Sequence, residues 1–359
     1  RAPARRSGRA TARSRPPLTV RPTIAVDARD AADPQLRGWG RYAACLVGAL
    51  PAALGEELSL EAVHRGAPGP EALFEQVVLP WRLRRLRAAV VHATNCFLPL
   101  VRPCPGVVTI HDLAFEAWRS DFSPRTGSKY RWLVPRVARS AERMICPSRF
   151  TADDVCRRYG IDRDKVRVIP EAPALALGDG LPPEGPPYVL AVGDLRQKKN
   201  LGALVEAFAG LWREAGLPHR LVLAGVDSGQ GDRLRRLAAG APVQLTGYVS
   251  DQRLDGLIRG AELLVNPSLY EGFGLVVLEA MARGTPVLAA RAGALPEAGG
   301  EAAAYFDPDE PGALRAALET LLGDADRRSA MVEEGRAWAA GFSWERTARE
   351  TVDVYRELL

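Results

Sequence analysis

Apolar residues along this chain gather in short continuous runs, and each run is followed by a longer stretch in which they recur at helical spacing. TIAVDA (23–28), 58–64, AVVH (89–92), GVVTIH (106–111), 143–146 and 166–169 read as strands. Helices fall between them, at about 41–50, 129–141 and 149–159, with Ser148 placed to cap the last. The alternation stops at EAPALALGDGLPPEGPP (171–187), whose prolines and glycines suit an interdomain linker. It resumes with YVLAVGDL (188–195), a helix at 201–215, RLVLAG (220–225), a helix around 231–239, VQLTG (243–247) and a helix at 251–260. A strand at 263–265, an apolar helix closed by Gly284, VLAA (287–290), and helices at 311–323, 326–340 and 343–357 complete the pattern. Short apolar strands alternating with helices predict parallel sheets covered on both faces. A chain of 359 residues is long for one core, so the fold class expected is α/β with two doubly wound domains.

One stretch constrains function more tightly than the rest: ELLVNPSLYEGFGLVVLEAMARGTPVLAA, residues 262–290. An apolar strand ends at Pro267–Ser268, Glu271 sits on the turn, and a Gly-rich step leads into a helix that carries Glu279 among apolar neighbours. An unpaired polar group in such surroundings costs roughly 2–7 kcal/mol, and a charge more, so something must meet Glu279. The amides of Gly272, Phe273, Gly274 and Leu275 open the helix, and a helix N-terminus suits phosphate oxygens. Gly274 to Glu279 covers about 7.5 Å at ~1.5 Å per residue, a phosphate-to-ribose distance. The pattern points to a nucleotide with its ribose beside the helix.

This stretch resembles the signature of the large retaining glycosyltransferase family 4, with its two glutamates and seven residues between them. The resemblance covers essentially all of residues 22–359 and implies the glycosyltransferase-B architecture, two Rossmann-like domains facing a cleft. It also implies that Glu271 contacts the hydroxyls of the donor sugar and that Glu279 holds the ribose. The division it predicts is a leader at 1–21, an acceptor-binding domain at 22–172, a linker at 173–187 and a donor-binding domain at 188–342, with the last helix, within 343–359, crossing back onto the first domain. GDLRQKKN holds two of the four lysines, Lys198 and Lys199, between a strand and a helix that Asn200 can cap. Cations there oppose the helix dipole by about 0.3–1 kcal/mol each, which a bound diphosphate offsets. The segment resembles the family's phosphate-binding loop, usually an arginine followed by a lysine. Asp194 stands where many members have that arginine, so Lys199 is the closer match and Arg196 the looser one.

His111 ends a strand in an I-H-D setting, where the family carries a histidine that contacts the donor sugar or the reacting phosphate. His92 closes the neighbouring strand, either bordering the acceptor or satisfied inside the core. The loop Gly38-Trp39-Gly40-Arg41-Tyr42 resembles the family's Gly-rich loop, whose glycines let backbone approach a ligand. Asp307-Pro308-Asp309 looks like a D-x-D metal motif but is placed as a turn and helix cap. No metal and no cofactor is expected, the nucleotide sugar being substrate. LPWRLRRLR (79–87) puts Leu79, Leu83 and Leu86 on one helical face, which fits peripheral docking to an anionic membrane or a helix covering the core equally well.

Charge changes the picture in one respect. Seven arginines and no acid fall in residues 1–21, and removing them from the net charge of +5 leaves the remainder slightly acidic at −2. The basic balance therefore belongs to a leader too poor in apolar residues to order itself, and no specific nucleic-acid partner is implied. Five cysteines without C-x-x-C spacing read as reduced thiols in a cytoplasmic protein. No apolar run approaches the ~20 residues of a membrane span. The reading is a retaining, metal-independent hexosyltransferase in glycan or glycolipid synthesis. Its donor is a GDP-, UDP- or dTDP-sugar, with a weak preference for GDP-mannose, and its acceptor a glycan, a lipid-linked sugar or a small molecule. Alternatives are an epimerase or phosphorylase of the same fold, or a non-catalytic partner subunit that binds nucleotide sugar.

Overall fold

The computed structural model describes residues 21–32, 36, 38–65 and 69–359. The leader at 1–21 lies outside that set except for Arg21. Two parallel six-stranded sheets organise the chain. The first runs β2-β1-β3-β4-β5-β6, from β1 (Thr23–Asp27), β2 (Ser59–Val63), β3 (Ala88–Ala93), β4 (Gly106–Thr109), β5 (Arg143–Cys146) and β6 (Val166–Val168). The second runs β12-β11-β10-β7-β8-β9, from β7 (Tyr188–Val192), β8 (Arg220–Ala224), β9 (Val243–Gly247), β10 (Leu263–Asn266), β11 (Val287–Ala290) and β12 (Ala304–Phe306). Every residue of β4, β10 and β11 is buried, as expected for strands covered on both faces. In both sheets the strand order turns back on itself beside the first strand of the domain, and it is there that an open sheet leaves a crevice at its carboxyl edge.

Several boundaries differ from expectation for local reasons. The Gly38-Trp39-Gly40 segment is the first turn of the Gly38–Leu54 helix rather than a loop before it. Strand β7 stops at Val192 because Gly193 takes φ +139°, and Arg196 to Asn200 tighten into a 3-10 turn. Asn200 sits at the start of Leu201–Ala215 in a left-handed conformation, but its side chain makes no cap hydrogen bond. Ser148 does cap Arg149–Tyr159, accepting from the Thr151 amide at 3.0 Å. The run before Asp307 pairs with β11 as a sixth strand, and Asp307 accepts from the Asp309 amide in an exposed turn. All five cysteines are free thiols, and two of them, Cys96 and Cys146, are fully buried. Among the described residues no helix is long and apolar enough to cross a membrane.

The Leu79–Leu86 helix corrects one reading outright. Leu79 and Leu83 are wholly buried, so the face they form covers the core. The apolar residues that this region exposes are Leu73, Val77 and Trp81, on the opposite side of a helical run that begins at Glu71 and passes through a π-helical stretch, Phe74–Val78. The last helix, Trp344–Arg356, packs against Gly38–Leu54, and its Val352 and Tyr355 join a core with Ile24, Leu46 and Val90 of the first domain.

Candidate functional site

The site grows from the carboxyl ends of β10 and β7 on one side and β1, β3 and β4 on the other. After β10, Asn266 Oδ1 accepts from the Ser268 hydroxyl at 2.7 Å, which shapes the turn that presents Tyr270 and Glu271. Gly272 follows, and only glycine fits. A Cβ there would lie 1.8 Å from the His111 carbonyl oxygen, across the seam between domains. The Gly272 carbonyl accepts from Ser148 Oγ at 2.6 Å and Thr151 Oγ1 at 3.0 Å, so the first domain grips the signature turn by its backbone. Gly274, at φ +119°, then swings the chain into Leu275–Ala282, leaving the first amides of that helix at the cleft.

Glu271 sits between two cations. Lys199 Nζ forms a short ion pair with one carboxylate oxygen, and Lys198 Nζ lies 3.7 Å from the other. Burial pushes the Glu271 carboxyl up, but the two lysines more than reverse it and hold it at about 2. Lys198 is nearly buried and also donates to Asp112 Oδ2 at 3.2 Å, across the cleft. Burial disfavours its charge, but Asp112 and Glu271 outweigh that and raise its pKa. Lys198 thus joins the two domains across the cleft, a role that the doublet's sequence suggests less than its position does.

Arg196 is engaged differently. Its guanidinium lies over the Phe122 ring at 5.5 Å and donates to the Asp121 carbonyl at 3.2 Å. It borders the cavity but is held by the first domain's 119–122 loop, while Asp121 also accepts from the amides of Gln197 and Lys198.

Glu279 faces the same cavity, with its side chain accepting from the Leu175 amide at 3.1 Å. Its neighbour Arg283 pairs with Asp255 at 2.7 Å instead and donates to the carbonyls of Glu279, Leu175 and Ala176. Burial dominates and raises the Glu279 pKa in spite of Arg41 and Arg283 nearby. Backbone amides of Ala174 and Leu175 thus hold a buried carboxylate at the wall of a cavity.

His111 has both ring nitrogens occupied. Nδ1 meets Glu171 at 2.8 Å and Nε2 meets the Thr94 carbonyl at 2.9 Å. Burial opposes the charged ring, yet the Glu171 carboxylate outweighs burial and lifts the pKa above its ordinary value. With both nitrogens engaged, His111 presents no free nitrogen to the cleft. His92, one strand over, is sealed in the core between Tyr355 (2.7 Å) and Thr109 (2.8 Å), and burial pushes it down to about 3.

Glu271, Lys198, Lys199, Arg196, Glu279 and His111, but not His92, border one cavity of about 640 Å³ between the two sheets. Of the residues singled out from sequence, His111, Lys199, Glu271, Gly38, Gly40, Arg196, Gly272, Phe273, Gly274, Leu275 and Glu279 all line it, and the Asp307 turn does not. Among the described residues no three His, Cys, Asp or Glu side chains gather as a metal-ion set. The sequence offers Lys198 as half of the lysine doublet but marks neither Asp112 nor Glu171 as a site residue. Asp112 adjoins His111, and Glu171 heads the Pro/Gly-rich segment, but nothing local marks either as a partner.

Known proteins resemble this chain over most of its length. The model of "Glycosyl transferases group 1" matches residues 178–338, and that of "Glycosyltransferase Family 4" matches 49–172. The MMP alpha-(1->4)-mannosyltransferase of Mycolicibacterium hassiacum is 33% identical over 317 residues, covering 82% of this chain and 76% of that protein. The chain belongs to the group 1 glycosyltransferases. The transferase is also 29% identical over 296 residues to the O-antigen chain mannosyltransferase B of Escherichia coli, covering 77% of each. Its fold matches the glycosyltransferase-B architecture of HepE from Anabaena, solved in complex with UDP-glucose, with a TM-score of 0.70, 18% identity, and coverage of 94% of this chain and 99% of that one.

Proposed function

We propose that this transferase moves a hexosyl unit, with retention at the anomeric carbon, from a nucleoside diphosphate sugar to an acceptor hydroxyl. The observation that carries the proposal is the Lys199–Glu271–Lys198 cluster beside the open helix end at Gly274, on a cavity that Glu279 also borders. The diphosphate takes the lysines and the helix amides, so that Glu271 exchanges a lysine for sugar hydroxyls. The ribose diol donates to Glu279, whose carboxylate borders the cavity. In the step itself the bond from the anomeric carbon to the phosphate oxygen breaks and the bond to the acceptor oxygen forms on the same face. The acceptor's proton passes to the departing phosphate oxygen, and the nucleoside diphosphate leaves. Lys199, Lys198 and the amides stabilise the charge that builds there without a divalent ion, and a single donor so placed is worth roughly 10²–10³ in rate. His111, held in place by Glu171 and the Thr94 carbonyl, shapes the wall beside the sugar.

The names of both relatives favour a mannosyl donor, and the UDP-glucose bound to HepE keeps UDP-sugars in view. Thermal-shift screening with GDP-mannose, UDP-glucose and dTDP-rhamnose identifies the donor. Acceptor-dependent release of nucleoside diphosphate in the presence of EDTA, with the product's anomeric configuration read by NMR, tests the reaction. Rearrangement of the sugar without an acceptor, or inversion, sinks it.

The peripheral contact has its own support in the same reading. Leu73, Val77 and Trp81 are each at least half exposed along one side of the 71–86 helical run, Arg85 lies 4.7 Å from the Trp81 ring, and Arg84 and Arg87 stand close by. That arrangement suits docking on an anionic bilayer near a lipid-linked acceptor. Co-sedimentation with phosphatidylglycerol vesicles that survives Trp81→Ala and Val77→Ser overturns it.

A further inference from the structure

The cavity wall contributed by the first domain differs from the lysine side in kind, and the difference specifies the acceptor. Trp39, in the first turn of Gly38–Leu54, lies nearly parallel to His111 (centroids 5.9 Å, planes 22° apart) and to Tyr130 (6.1 Å, 22°). Phe122 extends the wall 6.3 Å beyond Tyr130, and Phe97 and Phe115 pack against Tyr130 edge-on at 4.9 and 5.4 Å. Trp39, Tyr130 and Phe122 line the cavity, with Asp30 and Asp112 at its edge. Asp30 stands in the 3-10 turn after β1, oriented by Asn95 Nδ2 at 2.6 Å.

Among the described residues, two cations behind this wall are paired with carboxylates. Arg29 is bound to Asp27 and Glu75, both at 3.0 Å, and Lys129 to Glu71 at 3.1 Å and Glu75 at 3.2 Å. The wall therefore pairs aromatic faces with carboxylates and leaves neither of these first-domain cations for an anion. Aromatic faces carry negative potential and attract the slightly positive C–H face of a pyranose ring, while a carboxylate accepts from its hydroxyls. A phosphoryl group beside Trp39 and Tyr130 meets the Asp30 carboxylate instead, Asp112 being already paired with Lys198.

We propose that the acceptor is an uncharged pyranoside whose ring stacks on Trp39 and Tyr130 and whose hydroxyls bond Asp30. Phosphorylated sugars and polyols are thereby rejected. The inference rests on the transfer reaction above for its meaning, but binding to the wall is measurable without a donor.

Saturation-transfer NMR and Trp fluorescence on the full chain, with methyl α-D-mannopyranoside, methyl α-D-glucopyranoside, mannose 6-phosphate and inositol 1-phosphate as probes, make the test. Expected is binding of at least one methyl glycoside, with the phosphorylated probes weaker by at least about tenfold, and about a tenfold loss on Tyr130→Ala that Tyr130→Phe restores. Asp30→Asn weakens the glycoside and narrows the gap to the phosphorylated probes. Equal or tighter binding of a phosphorylated probe, or glycoside binding indifferent to Tyr130→Ala, overturns the proposal. A thermal-shift response to nucleotide sugar, measured on the same samples, separates the readings. Its absence in the wild-type chain counts against the donor site alone, and its persistence in Tyr130→Ala shows that the donor site is intact.

Discussion

The two sides of the cleft solve opposite problems with opposite chemistry. On the second domain, charge is concentrated at the cavity wall: Lys198 and Lys199 converge on Glu271, and Glu279 is held by backbone amides alone. On the first domain, charge is neutralised in place and rings face the cavity, with Arg29 and Lys129 bound into carboxylates behind the wall. Mobile ion pairs suit a ligand that brings its own charge and displaces them, and a fixed aromatic wall suits one that brings none. The contrast also explains why the domains meet at Gly272 and Lys198, where backbone and a shared ion pair join the sides without filling the space between them.

The largest effect belongs to the charged side. Lys199→Ala or Glu271→Ala lowers kcat by at least about 10³-fold with the circular-dichroism spectrum unchanged, whereas a ring removed from the wall raises the acceptor KM and leaves donor binding alone. Turnover near wild type in either charge variant erases the distinction. Gly272→Ala comes next. Its methyl group meets the His111 carbonyl, so the seam parts and transfer falls by about 10²-fold, with the change visible as a larger radius in small-angle scattering. Unaltered compactness and rate there mean that the seam does not hold the cleft in register.

Glu279→Ala is milder, about tenfold in donor KM with kcat less affected, because it removes binding that ground state and transition state share. Smaller still is the acid response of Glu271. Its folded pKa of about 2 lies below the ordinary carboxylate value, so its contribution is complete above pH ~4.5 and disappears as pH falls toward 2. Urea unfolding of wild type and Glu271→Gln should converge over that window, from a difference of at most roughly 3 kcal/mol.

Subtlest is a pair of titrations. The charged state of His111 is favoured, so its contribution is full below pH ~6.5 and is lost as pH rises through its raised pKa. His92 is held neutral, so its contribution is present above pH ~6.5 and is lost as pH falls toward about 3. Imidazole NMR that shows both rings titrating together contradicts the different surroundings assigned to them.

Most of the architecture was legible because each buried strand is a short apolar burst and each helix keeps its spacing. The signature at 262–290 announces its carboxylates because its glycines, its turn and its buried acid are all local. Illegible features were those made by distance in sequence. His92 and His111 look alike as strand-end histidines, and only Tyr355, far along the chain, and Glu171 separate them. Arg196 looked as eligible as Lys198 until the 119–122 loop claimed it. Leu79 and Leu83 make a stripe that fits lipid or core equally, and burial against the sheet decides it.

The helix that returns from the second domain sets an order of events. Tyr355 closes a hydrogen bond with His92 inside the first sheet's core, so the opening half of the polypeptide lacks part of its interior until residues 344–356 emerge from the ribosome. The second domain is complete earlier in space though later in sequence, and it can fold while its partner waits. A tag or a truncation at that helix therefore acts on the oldest part of the nascent chain, and its damage appears as an unfinished first domain rather than as a frayed end.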